Sequence, residues 1–279
     1  MDVSTTRGVR RSIGFGALLA LVAGLVASDI HSADKSGVNA KDGADMVFVP
    51  AGEFTMGSSD FDEEKPIHRV MLDGYYIYRT PVTVAQYLRF CDETGHAKPP
   101  APDFNLNWAK RDHPIVNVSY DDASAYCAWA GEKAGSVRLP SEAQWEKAAR
   151  GVDGRRFPWG EVFDRGRLWC SARTLGDAGG TAPVGSVPSG VSPFGALDMA
   201  GNVWQWCSDW YDKDFYGRPL ATERNPENQS VGERKERVLR GGAWDGTNPG
   251  IFRCANRINV PPDGRLHVFG FRCASAPQP

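Results

Sequence analysis

Apolar positions follow a period of two early in the chain and a helical period after it. In "MVFVPAGEFTMGS", from Met46, apolar residues alternate until Pro50-Ala51-Gly52 breaks the run, which predicts two strands joined as a hairpin. "HRVMLDGYYIYRTPVT", from His68, predicts further strand, with Val70, Leu72, Tyr75 and Ile77 spaced for partial burial. Three helices then announce themselves. Thr83 with Gln86 forms a capping box ahead of Tyr87, Phe90 and Cys91 on one face. Asp121 to Lys133 places Ala123, Tyr126, Cys127 and Ala130 on one stripe and ends at Gly131 and Gly135. Ser141 with Gln144 is a second capping box, backed by Trp145, Ala148 and Ala149, and that helix stops at Arg150-Gly151.

Beyond Gly151 the regular patterns fade for about ninety residues rich in Gly, Pro, Trp and Asp, a length of loop usually kept for function or for holding ions. "KERVLRGGAW" from Lys235 and "HVFGFRCA" from His267 predict late strands. The sum is an α+β class, rich in loops and poor in regular structure. Neither a repeat nor a linker divides it, so one domain is expected over residues 46–279.

Composition narrows the setting. The 279 residues carry a formal net charge of −2, which gives no electrostatic case for nucleic acid or an anionic membrane surface. Nine tryptophans among 31 glycines and 19 prolines suggest a fold pinned by aromatic clusters. Arg7, Arg10 and Arg11 precede an apolar run from Ile13 to Ala27, too short and Gly-rich for a comfortable membrane span, and Val26-Ala27-Ser28 suits signal peptidase. Residues 1–28 are therefore expected to be an export signal, of either general-secretory or twin-arginine type, and 29–45 a flexible lead-in. The mature chain would be periplasmic or extracellular, with no stable membrane span after cleavage. Six cysteines in an oxidising compartment suggest disulfides, with their pairing open. None lies in a C-x-x-C motif, the histidines form no metal-binding pair, and there is no G-x-S-x-G elbow.

The order of short blocks resembles the sulfatase-modifying-factor family, known best for formylglycine-generating enzymes. The blocks are "FVPAGEFTMGS" from Phe48, "PVTVAQYLRF" from Pro81, "HPIVNVSYDDASAYCAWAG" from His113, "RLPSEAQWEKAARG" from Arg138, "FPWG" from Phe157, "SPFGALDMAGNVWQWCSDWY" from Ser192, "VLRGGAW" from Val238 and "GFRCA" from Gly270. The resemblance spans Met46 to Ala274 and implies the family's variant of the C-type-lectin-like fold.

It also implies an active site that this chain does not fill. The family pattern holds copper on two cysteines, one four residues after the Gly-Gly pair and the next five further on. Here those positions are Gly246 and Ile251 or Phe252, and Ala243 stands where a serine is usual. Soft thiolates select Cu(I), and glycine or hydrocarbon cannot replace them, so no copper is expected. Cys254 and Asp245 are the remaining candidates for catalysis. The segment lining the family's substrate groove supplies Trp244, Asp245, Asn248, Arg253, Asn256 and Arg257. A family calcium site falls at Asn202, Val203 and Gln205, weakened because Gln205 stands where Glu is usual. The resemblance further implies a disulfide between Cys127 and Cys273.

These readings point to an exported relative without the copper-binding pair: a cell-envelope binding or maturation factor for a protein or peptide. The alternative is an oxidoreductase of different chemistry maturing an exported peptide-like metabolite, such as a siderophore precursor. A true formylglycine-generating oxidase is disfavoured by the empty ligand positions.

Overall fold

Strands form where apolar residues alternate, and helices start where a hydroxyl meets a glutamine or aspartate three residues on. The computed structural model describes residues 37–131, 136–171 and 179–277. The expected export signal, 1–28, lies outside the described residues.

Strand β1 (Gly37–Val38) runs antiparallel to β2 (Asp45–Val49), which pairs with β5 (Tyr75–Tyr78). Beyond β5 lie β11 (Ala274–Ser275) and β6 (Val137–Arg138), giving the order β1-β2-β5-β11-β6. This corrects the lead-in over 29–45: from Gly37 onward the chain is part of the domain. Asp42 is buried there, its carboxylate accepting hydrogen bonds from the Tyr78 and Tyr126 hydroxyls and from the Ala44 amide. A short acidic side chain reads as solvent-facing in sequence, and only distant tyrosines reveal its burial.

The expected hairpin over Met46–Ser58 is also corrected. The chain turns at Pro50-Ala51, but β2 joins the five-stranded sheet while β3 (Gly52–Met56) pairs with β4 (His68–Leu72). Lys147 stabilises this parting. Its ammonium donates to the carbonyls of Pro50 and Gly52, at 2.8 Å each.

The three helices match their signals. α1 (Val84–Thr94) has the Thr83–Gln86 capping box, and α3 (Glu142–Arg150) has the Ser141–Gln144 box. α2 (Tyr120–Ala130) starts from Ser119 and Asp122, a box formed with aspartate in place of the usual glutamate or glutamine. The Tyr87, Phe90, Tyr126 and Phe271 rings interlock between α1, α2 and the C-terminal segment, with centroids 5.3–6.2 Å apart along this cluster.

The third correction concerns the long irregular stretch. It contains β7 (Trp204–Trp210), which with β8 (Arg237–Arg240) forms the inner pair of a sheet ordered β10-β7-β8-β9, flanked by the later β9 (Arg257–Val260) and β10 (Phe269–Gly270). Trp204 to Cys207 are buried on both faces, so the alternation that betrays a half-exposed strand is absent. This sheet carries the segment between β8 and β9, where the candidate site lies. No helix among the described residues is long and apolar enough to cross a membrane.

Candidate functional site

The chain leaves β8 through Gly241 and Gly242, both at positive φ (103° and 76°). A side chain at Gly242 would run into the Phe252 ring, so only glycine lets the backbone pass there. Ala243 is buried and Trp244 turns outward, half-buried. Backbone bonds fix Trp244 on both sides: its N–H donates to the Asn202 carbonyl at 2.9 Å, and its carbonyl accepts from the Ser171 amide at 2.7 Å. Its indole Nε1 donates to the His267 carbonyl at 3.2 Å. The ring meets Phe104 edge-on at 5.3 Å and His267 at 5.6 Å. Asp245 and Asn248 follow on the exposed side, with the Asn248 side chain accepting from the Gly250 amide at 2.9 Å. Half-buried Trp244 and exposed Asp245 and Asn248 thus follow one another along one surface segment. Phe104 and His267 complete its aromatic part, and sequence pattern missed both because they lie 140 and 23 residues away along the chain.

Of the other expected groove residues, Arg257 is buried, Asn256 is half-buried, and Arg253, though itself buried, lines an open pocket together with Asp60, Arg150 and Arg156. Arg253 is buried and grips Glu64 bidentately at 2.6 and 2.7 Å, with Asp60 at 3.1 Å. Arg257 is buried against Glu142 at 2.7 Å and lies over the Tyr211 and Tyr216 rings. Asn256 offers its backbone carbonyl to Arg240, whose guanidinium also pairs with the buried Glu146. Glu146 additionally accepts from Arg150 at 2.6 Å and from the Gly57 amide at 2.9 Å. These buried charges bind the β8–β9 segment to α3 and the loop before β4. Pairing is what makes burial of so many charges tolerable.

The two positions where the family resemblance implies copper ligands hold no donor atoms. Gly246 is buried, and a Cβ built on it would stand 2.6 Å from both Ile251 Cδ1 and Phe252 Cζ. Phe252 is fully buried and stacks with Phe163 at 6.3 Å. The ligand positions thus form one hydrocarbon contact, with glycine on one side and two apolar side chains on the other. This set does not fit a thiolate-held copper ion.

Cys254 does not compensate. It is fully buried in the same apolar cluster as Ala148 and Ala149, and burial pushes its thiol up to about 12. A protonated, inaccessible thiol is neither nucleophile nor ligand at neutral pH. Asp245 is exposed on the surface.

The expected calcium donors are committed elsewhere. The Asn202 carboxamide pairs with the Ala182 backbone, accepting from its N–H at 3.1 Å and donating to its carbonyl at 3.3 Å. Gln205 Oε1 accepts from Trp145 at 2.9 Å and Arg272 at 2.6 Å, while its Nε2 donates to the Asp198 carbonyl at 2.7 Å. Val203 sits fully buried between them. As arranged, these residues close a hydrogen-bonded core around the Arg272 guanidinium, and calcium, which wants six to eight oxygens, does not fit it. No cluster of three or more His, Cys, Asp or Glu suited to a metal ion occurs among the described residues. Cys127 and Cys273 do meet: their sulfurs are 3.2 Å apart in the core between α2 and the chain leading into β11.

A loop-rich α+β domain with this sheet order and few helices is the formylglycine-generating-enzyme variant of the C-type-lectin-like fold. The model of the sulfatase-modifying factor enzyme 1-like domain matches residues 32–277, and the chain belongs to that family. It is 33% identical over 291 residues to the formylglycine-generating enzyme of Streptomyces coelicolor, covering 82% of this chain and 88% of that one. It is 36% identical over 254 residues to the serine/threonine-protein kinase Pkn1 of Chlamydia trachomatis, covering 82% of this chain but spanning only 38% of that relative's length. Among solved structures, PvdO from Pseudomonas aeruginosa superposes with a TM-score of 0.72 at 29% identity, covering 86% of this chain and 97% of that one.

Proposed function

We propose that this chain is an exported factor of the cell envelope that recognises a protein or peptide on the Trp244 face, without a thiolate-bound copper ion. One observation carries the reading: the space beside Gly246 is taken by Ile251 and Phe252, while the exposed aromatic face next to it is intact. An aromatic platform flanked by a carboxylate and an amide suits an extended polar chain, with stacking supplying area and Asp245 selecting a basic or donor-rich side chain. Family membership keeps a second reading alive, oxidative maturation of a peptide-like metabolite by chemistry that does not use two thiolates. It draws on the 33% identity to a formylglycine-generating enzyme along most of that enzyme's length.

Binding of a fluorescent decapeptide library to the purified full chain, with oxygen uptake followed in the same samples, tests this. The expected result is peptide binding that weakens about tenfold in Trp244→Ala, with no oxygen consumed. Oxygen uptake on a peptide-like metabolite would favour the second reading. Binding indifferent to Trp244 would refute the first.

A further inference from the structure

α3 and the strands it packs on share a chain of buried charges. Arg150, Glu146, Arg240, Glu142 and Arg257 are each paired with the next, and none of these side chains is more than 7% exposed. Three guanidinium groups thus share two carboxylates, and one positive charge is left over in the interior. Asp209, also buried, does not cancel it. Its carboxylate accepts from the Glu142 and Asn228 amides and pairs with no guanidinium among the described residues, and burial beside Glu142 and Glu227 lifts it to about 7. At the Arg150 end, the Nε–H finds no acceptor among the described residues. A surplus charge held out of water is costly unless an anion stands near it.

Arg150 is also the member of the chain that lines an open cavity. The cavity measures about 270 Å³ and is shared with Arg156, Arg253, Asp60, Glu161 and Ile67. That volume suits one functional group on a short stem, since drug-sized ligands take roughly 300–1,000 Å³. Arg253 is held from behind by Glu64. Arg156 has half of its side chain exposed and meets one carboxylate, that of Asp60, at 2.8 Å. The same Asp60 oxygen lies 3.1 Å from Arg253. The other Arg156 donors, Nε and Nη1, have no protein partner among the described residues. Glu161 is exposed and pairs with no described cation, so solvent screens it from the interior. Asp60, itself exposed, shows what these guanidinium groups accept, a single carboxylate between them. Ile67, 52% exposed, adds hydrocarbon to the lining.

We propose that this cavity binds a carboxylate on a short aliphatic stem, with Arg156 gripping the carboxylate, Arg150 supplying the uncompensated charge from the wall and Ile67 covering the stem. The surplus is one charge, which matches a carboxylate better than a doubly charged phosphate. A free short-chain acid and a glutamate side chain of a polypeptide present this same group. The site is separate from the Trp244 face and uses none of its residues.

The test is calorimetric titration of the full chain, at constant ionic strength, with butanoate, with butanamide and with the capped tripeptide acetyl-Gly-Glu-Gly-amide. Butanoate is expected to bind and butanamide to bind more weakly. Arg156→Gln should weaken butanoate about tenfold and leave butanamide unchanged, since it removes only the charge partner. Asp60→Asn, which frees Arg156 from the chain's own carboxylate, should tighten butanoate. Both substitutions fall on exposed residues, and opposite shifts from two neighbours are not what general damage to the fold would give. Tighter binding of the tripeptide than of butanoate assigns the group to a polypeptide and the reverse assigns it to a free acid, and either result supports the site. Equal affinity for butanoate and butanamide would overturn the proposal, as would unchanged affinity in Arg156→Gln or unchanged or weaker binding in Asp60→Asn. Absence of any binding by wild type up to about 20 mM butanoate would overturn it as well.

Discussion

Arg253 holds Glu64 with both ends of its guanidinium, at 2.6 and 2.7 Å, in a place that solvent does not reach. The pair ties the loop before β4 to the segment that follows Gly246, so the hydrocarbon contact at Gly246 rests on an ionic anchor. Removing one partner leaves the other charge buried alone. Arg253→Met is expected to cost about 3–5 kcal/mol in denaturant unfolding, and Arg253→Met combined with Glu64→Gln to recover a large part of that loss. If the two changes simply add, the pair is not the anchor described here.

The same pair sets an acid limit. Burial would raise the Glu64 carboxyl, but the hydrogen bonds from Arg253 and Ser58 and the positive charge nearby outweigh it, leaving the group below its ordinary value. A carboxyl lowered in the folded state gives stability that is present above its unfolded pKa and lost as pH falls through the folded one. Stability should therefore decline on acidification below about pH 4.5, and Glu64→Gln should flatten part of that decline. An unchanged acid slope in Glu64→Gln would remove this group from the account.

Lys147 predicts the opposite limb. Burial against the Pro50 and Gly52 carbonyls, without a carboxylate, brings its ammonium down to about 8. Between that value and the ordinary lysine range the unfolded chain binds one more proton than the folded one, so this group makes stability rise with pH there. The difference in unfolding free energy between wild type and Lys147→Met, measured from about pH 7 to pH 10, should grow in favour of wild type. A difference that stays flat across the window would mean that Lys147 keeps its proton.

Cys127 and Cys273 lie together in the core, 146 residues apart along the chain. In an oxidising compartment a bridge between them is expected. By chain entropy it would close a loop large enough to contribute about 4–5 kcal/mol. Peptide mapping of air-oxidised protein should recover the linked pair, and reduction should lower the melting temperature. Cys254, whose thiol burial pushes up to about 12, should resist iodoacetamide until the protein unfolds. Rapid labelling of Cys254 in the native state would contradict its assignment as an inert core residue.

Much of this architecture is written locally. The caps at Thr83, Ser119 and Ser141 lie within three residues of their partners, and helix starts depend on little else. The two positions where the resemblance implies copper ligands, Gly246 and Ile251 or Phe252, are likewise legible as residues without donor atoms. What sequence hides is pairing across distance. Arg253 reads as a free groove cation, whereas its guanidinium is committed to Glu64, 189 positions earlier. Asn202 and Gln205 look like calcium donors until Ala182 and Arg272 are seen to occupy them. β7 escapes detection because a strand covered on both faces shows no alternation.

With Gly246 packed against Ile251 and Phe252, the proposed function does not depend on a copper ion held by paired thiolates. Its most direct test is titration of the purified full chain with Cu(I) against a chromophoric chelator, with oxygen uptake recorded on a Cys-x-Pro-x-Arg peptide. No stoichiometric Cu(I) binding and no copper-dependent oxygen uptake are expected. One bound equivalent accompanied by turnover of the peptide would contradict it.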